Sequence, residues 1–466
     1  MKINKLIAGC IAGGIIAIQP TLADEPFQDV AYKLLKDSIA MRTVTGEGNE
    51  TPKFATYLAD HLKSAGFTDD DITIIPHEDT AAMIVKYHGD GRSGKKPFIL
   101  SSHLDVVEAL PEDWVKNPFE LIEEEGMFYG RGVLDTKLNV VTLVATFMRL
   151  KSEGFIPSRD MIIAFSGDEE TAMATTRLMT TEYRDQIDAE FAVIADGGGG
   201  SLGEDGKPFS YSVNSAEKTY ASWEVTARNP GGHSSMPRTD NAIYDLSRAI
   251  IKLSEHQMPV MQSALTRAYF EKSATLETNK EIAAAMAAFA KDKNNMEAVN
   301  VLRSYPEYAG VTGTTCVATM LRGGHAENAL PQSATLTVNC RIFPGVGADA
   351  TKAELITVFD NDELEWRLAA PVDESDESPL NPDVFGAIER AVQTEFPGLP
   401  IVPSMSMGAT DGMYFRIAGI PAYALTGTFI KSSDDFSHGL NERTPADNLE
   451  RSMRIYHQLL SEWAGD

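Results

Sequence analysis

The sequence predicts an α/β protein built on a mostly parallel sheet, with a ferredoxin-like α+β module inserted into it. Three observations predict this. Short, wholly apolar runs alternate with helical patterns up to about residue 216, the grammar of a parallel sheet covered on both faces. From about Glu217 the pattern changes, and apolar and polar residues alternate at 222–228, as in a strand with one buried face. Near Ser378 the first pattern returns, so the second module interrupts the first. The expected boundaries are 24–216 and 372–466 for the two parts of the main domain and 217–371 for the insert.

The elements follow in order. Lys2 and Lys5 precede an apolar run at 6–18 and the small-residue stretch Thr21-Leu22-Ala23, the pattern of a secretory targeting segment cut after Ala23. That run is too short to cross a bilayer as a helix. Export to a periplasm, with no membrane attachment after cleavage, is the expectation. Helices are expected at 27–40 and 52–65, the second stopped by Gly66, and strands at 71–76, 82–88 and 97–101. Gly126, Gly130 and Gly132 give a tight backbone path to Asp135, followed by a helix at 136–153 and strands at 161–165 and 191–195. Within the insert come a strand at 222–228, a helix at 242–254 and a helical segment at 275–302. Strands at 312–321 and 334–343, a helix at 350–359 and a strand at 364–368 complete it. Leaving the helical segment aside, that is the β-α-β-β-α-β order of a ferredoxin-like fold. The main domain then resumes with helices at 383–394 and 411–418 and strands at 401–403 and 422–425.

With 67 acidic against 41 basic residues, the formal charge of −26 argues against nucleic acid or an anionic membrane as partner. Of three cysteines, Cys10 lies in the targeting segment, which leaves Cys316 and Cys340 on two neighbouring expected strands. A disulfide and a pair of buried thiols are both open readings. Neither cysteine adjoins a His or an acid, so a thiol nucleophile or cysteine metal site is not expected.

The chemistry gathers at strand ends. His103 and Asp105, Asp135, Asp168-Glu169-Glu170 and Asp196 occupy loops of the first part of the main domain, most of them directly after a strand; Phe436-Ser437-His438-Gly439 lies near the C-terminus. In an open α/β sheet, ligands bind in the crevice beyond the carboxyl ends of the strands. Any one of these acids is as readily a helix cap or a solvated loop residue. Brought together they would repel strongly, and with two histidines and no cysteine they suit divalent cations such as zinc. Ser-x-x-Lys occurs at 93–96 and 215–218 without the companion motifs of serine acyl-enzymes. Neither a Gly-x-Ser-x-Gly elbow nor a His-Glu-x-x-His helix occurs.

Taken as an ordered set, Ser102-His103-Leu104-Asp105, the run from Gly130 to Lys137, Gly167-Asp168-Glu169-Glu170, Gly231-Gly232-His233-Ser234-Ser235, Asn328-Ala329-Leu330-Pro331 and Asn339-Cys340-Arg341 resembles a known family. This is the di-zinc exopeptidases and amidohydrolases that include carboxypeptidase S, aminoacylase, glutamate carboxypeptidase and succinyl-diaminopimelate desuccinylase. The helical insert and Gly313-Thr314-Thr315 resemble the carboxypeptidase S branch most. The resemblance implies a zinc-exopeptidase fold whose inserted module serves as lid and dimerisation domain. It implies two Zn2+, with Co2+ or Mn2+ as other options: Asp135 bridges them, Glu170 and His438 complete one site, and His103 and Asp196 the other. Glu169 is then the general base, Asp105 orients His103, and His233 donates to the oxyanion, commonly at the partner subunit's active site, hence a homodimer. Arg341 and Asn328 bind substrate carboxylate or carbonyl. Gly408 and Thr410 open a helix whose backbone N–H groups suit the same carboxylate. Two departures stand out: Thr136-Lys137-Leu138-Asn139 follows the bridging acid, and Gly197 rather than Glu follows Asp196.

The expected function is a secreted metallohydrolase cleaving an amide bond next to a free carboxylate in short peptides, as a carboxypeptidase or dipeptidase. N-acyl amino acid hydrolysis is the alternative. A non-catalytic, metal-dependent binding protein is a remote third, against which an intact Glu169 speaks.

Overall fold

A computed structural model describes residues 27–465. The expected targeting segment and Cys10 lie outside the described residues.

Among the described residues, the main sheet has ten strands. At its centre Met161–Ser166, Phe98–His103, Phe191–Ile194 and Ala422–Ala424 run parallel, and Thr80–Tyr87 and Ile72–His77 extend one edge antiparallel. The apolar runs explain why. Side chains alternate across a strand, so Phe98, Leu100, Ile163, Phe165 and Val193 enter one core, while Ile99, Ile162, Ala164, Ala192 and Ile194 enter the other. Helices Gln28–Ile39, Thr51–Ser64, Lys137–Ser152, Pro382–Glu395 and Asn448–Trp463 cover the first face; Ala174–Thr181 and Gly412–Ile417 cover the second. The sheet continues through Pro208–Glu217, which pairs with Ala422–Ala424, Gly199–Leu202 and Ile401–Ser406. The hairpin Gly199–Leu202/Pro208–Glu217 is an addition to the sequence expectation.

A second, four-stranded antiparallel sheet has the order Thr315–Gly323, Ser333–Ile342, Thr219–Arg228, Glu365–Leu368. Helices Ala242–Glu255 and Ala348–Phe359 pack on it through Leu246, Leu355 and Phe359. Its strand order is that of a ferredoxin-like module, as expected. The helical insert expected at 275–302 begins earlier and consists of the helices Ala264–Leu276, Lys280–Lys291 and Met296–Arg303, with their own core around Phe270, Phe289 and Leu302. Leu265 and Met261 anchor them against Ala216, Phe343 and Met405.

Cys316 and Cys340 face each other across neighbouring strands and form a disulfide. Of the two open readings, the bridge is the one the fold adopts. Strand Thr315–Gly323 is the outer strand of its sheet, and Val317, Met320 and Leu321 are exposed on it.

Candidate active site

The parallel strands deliver the site. Phe98–His103 is buried along its whole length and ends on His103, which is 1% exposed. The Nδ1 of His103 lies 3.0 Å from the backbone oxygen of Asp105. A carbonyl only accepts, so Nδ1 carries the hydrogen and Nε2 faces the acids. That Nε2 lies 3.0 Å from Asp135 Oδ1 and 3.9 Å from Asp196 Oδ2. On the other side, His438 Nε2 lies 3.1 Å from Asp135 Oδ2 and 3.0 Å from Glu170 Oε2. Asp135 therefore gives one oxygen to each histidine. His103–Asp135–Asp196 and Asp135–Glu170–His438 each bring their donor atoms within 4.8 Å of one another, as does His103–Glu169–Glu170.

The first two of these sets share one carboxylate, the arrangement that lets a single acid span two cations. Charge points the same way. Burial drives Asp196 up to about 8, with Asp135, Asp411 and Glu170 adding to the rise against the pull of His103. Burial and the charge of Asp196 likewise push Glu169 well above the usual carboxylate range. Burial works against protonation of His103, yet hydrogen bonds to Asp105 and Asp135 hold it well above 6.5. Hydrogen bonds to Asp135 and Glu170 raise His438 to about 10. Protons on the two imidazoles are what divalent cations displace on binding such a set. The donors present thus fit two cations by type, number and charge.

The supports are local and specific. The Asp105 carboxylate stands 3.5 Å from His103 Nδ1 and also pins the next loop: Oδ1 accepts from the N–H of Glu169 at 3.1 Å and Oδ2 from that of Glu170 at 3.0 Å. Asp105 thus meets His103 through its backbone oxygen and holds the Glu169–Glu170 loop through its side chain. Asp168 is drawn away as a helix cap, accepting from the N–H of Ala174 at 2.8 Å and of Thr175 at 2.9 Å. Thr136 Oγ1 donates to Ala195 O at 2.9 Å, tying the Asp135 loop to the strand before Asp196. His438 has φ of 61°, a left-handed conformation that costs a non-glycine residue about 1–3 kcal/mol.

The substrate-side residues divide. Arg341 Nη1 donates to Met407 O at 3.3 Å and its guanidinium lies 4.8 Å from the Tyr220 ring centre, with no carboxylate partner among the described residues. His233 and Asn328 come together, since Gly232–His233 pairs with Ala329–Leu330 and Ser234 N donates to Asn328 O at 3.1 Å. Both are exposed, and His233 Nδ1 accepts from the N–H of Ser235 at 3.2 Å, with no bond to the acidic cluster among the described residues. The amide of Gly408, expected to be free, is occupied. Gly408 N–H is taken by Ser406 Oγ at 3.1 Å, and Thr410 Oγ1 donates to the buried Glu217 while accepting from Gly412 N at 3.1 Å. A side chain two residues from each amide has occupied it.

Sequence reasoning missed Glu442. It is fully buried and its carboxylate accepts from the backbone of the Asp135 loop and from Arg131. Its only sequence signal is position, four residues beyond His438. Asp411 was missed too: it is buried beneath the cluster, accepts from Ser166 and Thr176, and burial raises it to about 7.

Against known proteins, residues 99–462 match the peptidase family M20/M25/M40. The chain is 28% identical over 375 residues to an N-fatty-acyl-amino acid synthase/hydrolase of Xenopus tropicalis, covering 78% of this chain and 72% of that one. It is 26% identical over 376 residues to a probable carboxypeptidase S-like protein of Dictyostelium discoideum, covering 78% and 71%. In fold it is similar to an M20 family metallo-carboxypeptidase from Sulfolobus solfataricus, with a TM-score of 0.65 at 16% identity over 93% of this chain and 98% of that one.

Proposed function

The chain belongs to the peptidase family M20/M25/M40, a family of hydrolases, and on that premise we propose that it cleaves the amide bond next to a free carboxylate in short peptides. One observation carries the reading: two donor sets share Asp135, and the buried Glu169 stands beside them. His103, Asp135 and Asp196 would hold one divalent cation and Asp135, Glu170 and His438 the other, with zinc the first choice for this N and O donor set. Bound there, such cations supply Lewis acidity toward a carbonyl and toward water. Glu169, buried beside both donor sets, takes a proton from the attacking water and returns it to the leaving nitrogen. Arg341, stacked on Tyr220 and without a carboxylate partner among the described residues, donates from its fork to the substrate carboxylate.

Cavity chemistry supports peptides over long acyl chains. A cavity of about 230 Å3 adjoins Asp135 and Asp196 and is walled by Thr426, Thr428, Asp435 and Ser437. An apolar cavity of about the same volume, walled by Phe209, Tyr269, Leu276 and Met286, shares no lining residue with it. Most side chains around the first are polar, which suits a short peptide better than a long acyl chain. The competing reading, N-acyl amino acid hydrolysis, draws on the Xenopus relative. Dipeptides, N-acetyl amino acids and N-oleoyl amino acids separate the two: dipeptides are expected to show at least about tenfold higher kcat/KM. A preference for the N-oleoyl substrates overturns the peptide reading, and no turnover on any of them overturns hydrolysis.

We propose further that two chains pair. His233 is exposed in its own chain and far better suited to serve a neighbour, where His233 of the partner subunit would meet the oxyanion. Strand Thr315–Gly323 offers the surface, an open sheet edge exposing Val317, Met320 and Leu321. Open apolar edges are pairing templates. Sedimentation velocity is expected to show a dimer, and Leu321→Arg a monomer with reduced kcat. A wild-type monomer with full activity refutes the pairing.

A further inference from the structure

Two loops of the candidate centre, far apart in sequence, are joined by one buried ion pair. Glu442 Oε1 accepts from Leu134 N at 2.8 Å and Asp135 N at 3.0 Å, and both of its oxygens lie 3.1 Å from Gly132 N. Its Oε2 accepts from Arg131 Nη1 at 2.6 Å. Arg131 Nη2 in turn donates to Gly439 O at 3.1 Å, and Gly130 N donates to Glu442 O at 3.2 Å. Segment 130–135, which ends on Asp135, is thereby fastened to segment 438–442, which begins on His438.

A buried ion pair is a costly way to stabilise a fold, since apolar residues of similar volume often do as well or better. What such a pair supplies here is direction. Both charges are spent on backbone groups next to two donor residues, and neither reaches the cluster itself. The two donor sets depend on it unequally. In Asp135–Glu170–His438, Asp135 is held through its own N–H and His438 through the carbonyl of the next residue. In His103–Asp135–Asp196 only Asp135 is held, because His103 ends a sheet strand and Asp196 follows one.

We propose that Glu442 and Arg131 are positioning residues that set the spacing of Asp135 and His438, and so tune the Asp135–Glu170–His438 site more than the other. This rests on the reading of the two sets as a two-cation centre.

The test titrates ZnCl2 alone into the cation-free full chain by calorimetry. Wild type is expected to bind two cations. Glu442→Gln must turn an NH2 either toward Arg131 or toward the Leu134 and Asp135 amides, a donor facing donors. It is expected to bind one cation 10–100-fold more weakly, the range seen when groups that orient ligands are altered, and the other with a clearly smaller loss, since that set loses the placement of Asp135 alone. Arg131→Met/Glu442→Gln removes the stranded charge and is expected to fold and to show the same asymmetry. Two cations at wild-type affinity in either variant, or equal weakening of both, overturns the proposal, as does failure of both variants to fold. A wild-type chain that binds fewer than two cations overturns the two-cation reading itself, which the variants alone do not touch.

Discussion

Glu169→Gln is expected to lower kcat by about 10²–10⁴-fold while leaving cation content unchanged. The substitution keeps volume and shape and removes one capacity, that of taking and returning a proton. Glu169 is 8% exposed, its loop is pinned by Asp105 through the N–H of Glu169 itself, and burial raises its proton affinity. On the transition-state scale, the expected loss is roughly 3–5 kcal/mol. Because Glu169 also belongs to a third set with His103 and Glu170, cation analysis is essential to the test. Loss of a cation together with activity makes Glu169 a ligand, and wild-type turnover ends its role altogether.

Asp135→Asn is expected to be more severe, because one residue serves both donor sets. Removing a charge and placing an NH2 opposite an imidazole N–H weakens two sites at once. Cation content is expected to fall from two to one or none, with activity at least about 10³-fold down. A second readout needs no cation. In the metal-free protein His438 owes its rise to about 10 first to Asp135 and then to Glu170. Losing the first partner moves it down toward the ordinary 6.5, observable in the ring proton shifts of His438 on titration. An unmoved His438, or two cations retained, contradicts the bridging role.

Much of this was legible in the chain because its signals are local. Parallel strands buried on both faces must be apolar throughout, so Phe98–Leu100 and Met161–Phe165 announce themselves, and the polar residues that end them are conspicuous. The helical insert was legible in principle: Asn279 and Asn295 cap Lys280–Lys291 and Met296–Arg303, and asparagine is a strong cap. Glu442 is a different case. What makes it matter is burial against Arg131, 311 residues earlier, and nothing in a polar loop reveals a contact that folding alone creates. The hairpin at Gly199 was hidden for the opposite reason, since a run of glycines carries no alternation to read. The amide of Gly408 failed through competition from Ser406, a contest between neighbours that spacing rules do not weigh.

The cystine between Cys316 and Cys340 has a consequence beyond cross-linking. The outer strand it grips is exposed through most of its length and bulges between Ala318 and Met320, so no buried stripe dictates its phase, and a slip of one residue would turn every side chain over. The sulfur bond acts as a pin, fixing the register of the strand against its neighbour. Reduction would let this rim drift, and so the redox state of the surroundings reaches the face by which one molecule could recognise its twin.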